Sequence, residues 1–191
     1  MLTNYSRSFK AKLFLDESLE IDDLMLIFGL SQLDKAQNKQ YWGRELGKCW
    51  ELLVIEICKQ TNSNFGTRIK EGAGELCDLV LGKDAIDTKY RIGSGDAGTL
   101  KKFKQNGVKL RDLEYNPIML ILRNDNLPAA ITQLKTGGWT VIVGDSSYAY
   151  IRKETGFDLQ AWLKTKKLLF LIEPQTDNSQ EREVINNSDN K

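Results

Sequence analysis

Two groups of residues that could do chemistry meet in one stretch of this chain, AIDTKYRIGSGDAGTLKKF (residues 85–103). Asp87-Thr88-Lys89 sets a carboxylate and an ammonium two positions apart, and a further carboxylate, Asp78, stands in the apolar run LCDLVL just upstream. Paired carboxylates suit a hard cation such as Mg2+, which takes oxygen ligands, and a lysine offers a point charge to a phosphate or an attacking water. Gly93-Ser94-Gly95-Asp96-Ala97-Gly98 is a literal G-x-G-x-x-G. That pattern can cradle the pyrophosphate of a dinucleotide at a helix N-terminus.

Alternation along the strand favours the first group. Ile86, Thr88, Tyr90 and Ile92 face one way and Asp87, Lys89 and Arg91 the other, so Asp87 and Lys89 project into the same space. A strand leading into a dinucleotide site should be apolar on both faces. This one is polar on one face, and the turn Gly82-Lys83-Asp84 joins it to its predecessor as an antiparallel hairpin. The next apolar strand, PIMLILR, ends on Arg123 where a ribose ligand would need an acid. No dinucleotide cofactor is expected. The triplet recurs at Asp189-Asn190-Lys191, so the surroundings must support it. Asp78 is a lone carboxylate in an apolar run, costly to bury without a partner or a metal. The hairpin turn lies between Asp78 and Asp87, so both can converge on one ion.

A third acid comes from the helix expected over 41–60. Its core stripe is Leu46, Trp50, Leu53 and Ile57. Glu45, Lys48, Glu56 and Lys59 fall on the solvent side of the wheel, whereas Glu51 falls at the edge of the apolar arc. Composition narrows the chemistry further. The 191 residues include no histidine. That removes Ser-His and Cys-His nucleophile pairs and His-ligated zinc. Net charge is +1, but residues 65–111 hold ten Lys and Arg against six Asp and Glu. A basic region around acidic ligands suits a polyanion. Cys49, Cys58 and Cys77 lack metal-ligand spacing and point to a reducing setting.

The elements that must position these residues read as follows. Helical periodicity marks residues up to about 40, with Leu19, Leu24, Leu26 and Ile27 clustered and Gly29 as a stop. After the helix over 41–60 come short strands near 68–70, in LCDLVLG and in AIDTKYRI. TLKKFKQNG is a helix closed by Asn106-Gly107, PIMLILR a buried strand, LPAAITQLKTGG a helix with Pro128 in its first turn, and WTVIVG a strand. YAYIR reads as one more strand and FDLQAWLKTKK as a short basic helix. The expected fold is mixed α/β: a central mixed sheet flanked by helices, in one domain over 1–172 with a helical part over about 1–40. The polar stretch 173–191 reads as a disordered tail. No run of about 18 apolar residues spans a membrane, and no secretory pattern opens the chain.

With the helix glutamate, Cys77-Asp78, the eight-residue interval and Asp87-Thr88-Lys89 in place, residues 41–144 resemble the PD-(D/E)xK nuclease superfamily. Its core of helix, three-stranded meander, helix and strand matches the order above. Cys77 stands where the family usually has proline. The resemblance implies Asp78 and Asp87 as Mg2+ ligands, Lys89 as the residue that positions or activates water, and Glu51 as an accessory ligand. Duplex DNA would be contacted by Arg91, by Ser94 and Gly95 of the glycine segment, and by Lys101, Lys102 and Lys104. Within the superfamily the chain looks most like a type II restriction endonuclease. It would be a cytoplasmic bacterial or archaeal protein, acting as a homodimer through its N-terminal helices. The alternatives are a structure-specific nuclease resembling Holliday junction resolvases, or a DNA-binding module without activity.

Overall fold

A computed structural model describes residues 17–172 except 73, 94 and 96, together with residue 3. The tail over 173–191 therefore lies outside the described residues, as does Ser94. Three helices open the described chain: α1 (Asp23–Phe28), α2 (Gln32–Gln37) and α3 (Lys39–Thr61). Asp22 caps α1 through its side chain, and Gly29 ends it in the left-handed conformation, as expected from its place after the apolar run. Leu19 does not join the expected cluster; it precedes α1 and is 84% exposed.

Strands β1 (Phe65–Thr67), β2 (Lys70–Glu71), β3 (Gly74–Glu75), β4 (Leu79–Leu81) and β5 (Asp84–Lys89) follow. Then come α4 (Ala97–Asp112), β6 (Asn116–Ile121), α5 (Pro128–Thr136), β7 (Thr140–Val143), α6 (Asp145–Thr155) and α7 (Leu159–Thr165). The fold is mixed α/β. A five-stranded sheet runs β1-β4-β5-β6-β7, and β2-β3 forms a separate small hairpin. Strands β1, β4 and β5 pair antiparallel, while β5-β6 and β6-β7 pair parallel. The meander expected near the site is therefore present, with β2-β3 inserted between its first two strands. The β4-β5 turn needs only Gly82 and Lys83, and Gly82 takes φ +59°, a conformation glycine adopts without a steric penalty.

Two hydrophobic layers hold the sheet. One joins Leu79, Leu81, Ile86, Tyr90, Ile118 and Leu120 to Leu46, Trp50, Val54 and Cys58 of α3, with α1, α6 and α7 around them. The other joins Val80, Ala85, Met119 and Ile121 to Leu110, Leu134 and Trp139 beneath α4 and α5. Helix α3 is thus rotated slightly from the expected stripe: Val54 and Cys58 are buried, and Leu53 and Ile57 are only partly so. Among the described residues no helix is long and apolar enough to cross a membrane.

Four expectations about elements and connections need correction. YAYIR lies in helix α6, whose buried Ser147, Tyr148 and Ile151 share a helical rather than an alternating spacing. Ile92 leaves the face of Ile86 and Tyr90 and packs in the opposite core, because regular strand ends at Lys89. The glycine segment does lie between parallel strands, since β5 is antiparallel to β4 but parallel to β6. The hairpin therefore does not by itself separate this chain from a βαβ unit. Finally, Asn106-Gly107 does not close a helix; α4 runs on to Asp112. Gly107 is there for contact: a Cβ would sit 2.4 Å from the Gly137 carbonyl oxygen and 2.4 Å from Trp139 Nε1. In an open helix, Gly→Ala gains roughly 1 kcal/mol. Here Gly107→Ala should instead destabilise by about 1–3 kcal/mol through overpacking against α5 and Trp139, measured by urea denaturation. A gain in stability would show that the two helices can separate freely.

Candidate active site

The site forms where the β4-β5 ladder ends. Leu79 pairs with Ile86, and the Asp78 backbone N–H adds one more bond, to the Ile86 carbonyl at 2.9 Å. Beyond it the Asp78 side chain takes over as acceptor. Its Oδ2 receives the Thr88 backbone N–H at 2.7 Å and the Thr88 hydroxyl at 2.7 Å. One carboxylate oxygen thus satisfies a backbone donor and a buried hydroxyl, and Asp78 is fixed by groups of the strand that carries Asp87 and Lys89. Cys77, buried beside it, has its thiol pushed up to about 11 by burial, so it is held as a neutral packing group.

Asp87 and Lys89 share the polar face of β5, as the alternation requires. The Lys89 ammonium is ion-paired with Asp87 Oδ1 and donates to the Thr88 carbonyl oxygen at 2.9 Å. Asp87 is 15% exposed and Lys89 34%. Burial raises the Asp87 pKa, Lys89 pulls it back, and the charges of Asp78 and Glu51 push it up again. Burial alone would lower the Lys89 pKa, but Asp87, Asp78 and Glu51 outweigh it and leave it raised. The carboxylates thus repel one another's charge, with one lysine among them in answer.

The helix acid is distinguished by place. Glu51 is 20% exposed, follows the fully buried Trp50, and pairs with Lys48 at 2.8 Å. Its charge reaches both Asp87 and Lys89. Glu45 and Glu56 are exposed and hold their own neighbours, Arg44 and Gln60. Among the described residues no three of His, Cys, Asp and Glu are gathered closely enough to hold an ion by themselves. The fit to magnesium is that of two carboxylates plus waters, its usual manner of binding.

The other expected contacts divide. Lys101, Lys102 and Lys104 are exposed on α4, and Gly95 is half-buried before it. Arg91 turns inward, 13% exposed, and pairs with Asp125 at 2.9 Å. Arg68, which the sequence reading passed over, borders the site. Its guanidinium is held charged first by a hydrogen bond to Glu75 and by that residue's charge, with Glu51 and Asp78 adding to it. Only the pairing of Thr67 with Leu79 reveals it, because Arg68 follows the one and Asp78 precedes the other.

Behind the site, a buried network braces the strand ends. Lys35, 2% exposed, donates to the Tyr90 hydroxyl at 2.7 Å and pairs with Glu17. The Tyr90 hydroxyl donates to Asp22. Arg123 reaches Asp22 at 2.9 Å, Asp125 at 2.8 Å and the Glu20 carbonyl at 3.0 Å. Three cations, Lys35, Arg91 and Arg123, thus meet three acids, Glu17, Asp22 and Asp125. The arginine that ends PIMLILR is therefore structural.

No family model matches the chain, and no solved structure matches it. It is 28% identical over 95 residues to the bifunctional protein GlmU of Brucella abortus (strain S19), a match covering 50% of this chain and 21% of that protein. GlmU of Brucella melitensis biotype 1 matches to the same extent. The chain thus spans about a fifth of the length of these relatives, too little to carry an activity across.

Arg123→Met should cost about 3–5 kcal/mol, because it leaves Asp22 and Asp125 buried without their partner. Equilibrium unfolding in urea measures this. A loss below about 1 kcal/mol would mean that solvent reaches the network freely.

Proposed function

We propose that this chain is a Mg2+-dependent endonuclease of the type II restriction class, hydrolysing phosphodiester bonds of duplex DNA at a short specific sequence. The observation that carries the reading is the tie of Asp78 to Thr88, the neighbour of Asp87, with Lys89 on Asp87 and the charges of Asp78 and Glu51 acting on it. The resemblance to PD-(D/E)xK nucleases supports the same assignment, and the GlmU match bears on neither side of it.

The residues present suit the reaction. Asp78 and Asp87 would hold the ion, with Glu51 acting through a bound water. When bound, magnesium supplies a Lewis acid and lowers the pKa of a coordinated water. Lys89, on the same face as Asp87, places a positive charge where the scissile phosphate or attacking water would lie. Asp78, locked to Thr88, keeps the carboxylate pair in position. The exposed lysines of α4 would add phosphate contacts that orient the duplex without reading its sequence. One such centre cuts one strand, so a homodimer is the expected working form. Exposed Leu33 on α2 and the exposed apolar residues 168–172, which lie against α1, support an interface at the N-terminal helices.

Purified protein should cut duplex DNA into discrete fragments with Mg2+ and stop when EDTA is added. Asp87→Asn should abolish cutting and keep DNA binding. Preferential cutting of branched junctions would move the chain to the resolvase-like class. Failure to cut any duplex or branched DNA would leave a binding module.

Glu51→Gln should slow cleavage at least about tenfold, a barrier change of about 1.4 kcal/mol, at an unchanged melting temperature. Glu45→Gln and Glu56→Gln should cut like the parent. Normal cutting by Glu51→Gln would remove that residue from the site.

A further inference from the structure

We propose that Arg68 is a substrate-contacting residue of this site: its guanidinium, held ready by Glu75, binds a backbone phosphate of the DNA beside the Asp78–Asp87 pair. The inference rests on the DNA-cleaving reading above and adds the residue that grips the substrate from the β1 side.

Placement comes first. Thr67, the last residue of β1, pairs with Leu79, the first of β4, so Arg68 directly follows and Asp78 directly precedes that pair. The charges of Asp78 and Glu51 reach Arg68, as they reach Lys89 from the β5 side. A phosphate over the carboxylates would thus find a cation from β5 and one from the end of β1, an outer strand of the sheet.

Hold comes second. Arg68 Nη1 lies 2.6 Å from Glu75 Oε1. The Leu76 N–H donates to the Ile69 carbonyl at 2.9 Å, and Asn106 Nδ2 donates to the Glu75 carbonyl at 3.2 Å. The backbone on both sides of the pair is therefore tied down, and β2-β3 presents Glu75 to Arg68 in a set position. Arg68 is 39% exposed and Glu75 43%. An ion pair so open to water adds little to stability. Substitution should leave the fold intact, and the guanidinium can exchange its carboxylate for another anion.

Chemistry comes third. A guanidinium offers planar, paired N–H donors that match phosphate oxygens, and such charge-assisted contacts are stronger than neutral ones. Arg68 also lies within the field of Glu51 and Asp78, so it is part of the electrostatics of the site. Glu75 acts as the stand-in anion until DNA arrives.

The test measures binding of a short DNA duplex by fluorescence anisotropy over a range of salt, with Ca2+ in place of Mg2+, and cleavage separately in Mg2+. Arg68→Ala should weaken binding about ten- to hundredfold, the worth of a charged hydrogen-bonded contact. It should also lower the salt slope by about 0.9, one phosphate contact on duplex DNA. Arg68→Lys should restore the slope and only part of the affinity, and Glu75→Gln should bind more tightly than the parent. Melting temperatures should stay unchanged. In Mg2+, Arg68→Ala should cut more slowly and be partly rescued by added guanidinium ion. Unchanged affinity and slope in Arg68→Ala would overturn the proposal. Parent protein that binds DNA but never cuts would sink the nuclease reading, while the binding comparison would still decide Arg68. Parent protein that binds no DNA would overturn both.

Discussion

The site depends on one exchange of acceptors: the Asp78 carboxylate takes the Thr88 N–H that the β4-β5 ladder leaves unpaired. A buried backbone donor without a partner costs about as much as a lost hydrogen bond. By supplying that partner from a side chain, the chain lets the two strands part after the Asp78 N–H bond to the Ile86 carbonyl without leaving the donor unsatisfied. The opening contains two carboxylates and a lysine in place of further pairing. The same contact takes in the Thr88 hydroxyl, on the side of the strand away from Asp87. Asp78 is therefore held from β5 at two points, and its separation from Asp87 follows the pleat of one strand.

That strand is itself tethered just past Lys89. Tyr90 lies in a buried network that draws residues 17–22, α2 and the end of β6 together around Arg123. Burying charges in this number is costly unless each is paired and hydrogen-bonded. The network meets that condition with three cations against three acids and with backbone carbonyls of Ser18 and Glu20 on the arginine. Burial lowers the Lys35 pKa despite the pull of Glu17, as expected for an ammonium out of water. Its consequence for the site is mechanical. The path of β5 after Lys89 is fixed by groups on three other segments, so fraying at the strand end would have to break them together.

Much of this was legible from residue order. The turn read at Gly82-Lys83-Asp84 announced the hairpin, and with the alternation of β5 it placed Asp78, Asp87 and Lys89 in one region. The fully buried Trp50 explains why Glu51 alone of the three helix acids was identifiable: a bulky core residue fixes the helix rotation, and its neighbour must lie at the edge. What the sequence hid was long-range. Gly107 read as a helix end because its reason lies thirty residues away in Gly137 and Trp139. Tyr148 and Tyr150 of YAYIR imitate strand alternation, and only the packing of Ser147, Tyr148 and Ile151 shows a helix. The Arg123 network was invisible for the same reason, since Asp22 lies 101 residues from Arg123 along the chain.

The charges around the opening do not balance from the protein alone. Asp78, Asp87, Glu51 and Glu75 stand against Lys89, Lys48 and Arg68, four acids to three bases. Glu75 and Lys48 are at the rim, where solvent screens them. The inner balance is harsher: Asp78 and Asp87 face one ammonium, and the field of Glu51 adds to theirs. A carboxylate pair in that condition can take up a proton, as the raised Asp87 pKa implies, or a second positive group. The oxygens are hard donors, and the cysteine beside them is held as a buried thiol, so a small hard cation suits the place better than a soft one. Exposed Lys101, Lys102 and Lys104 lie further out on α4, so the acidic centre sits within a basic region of the chain.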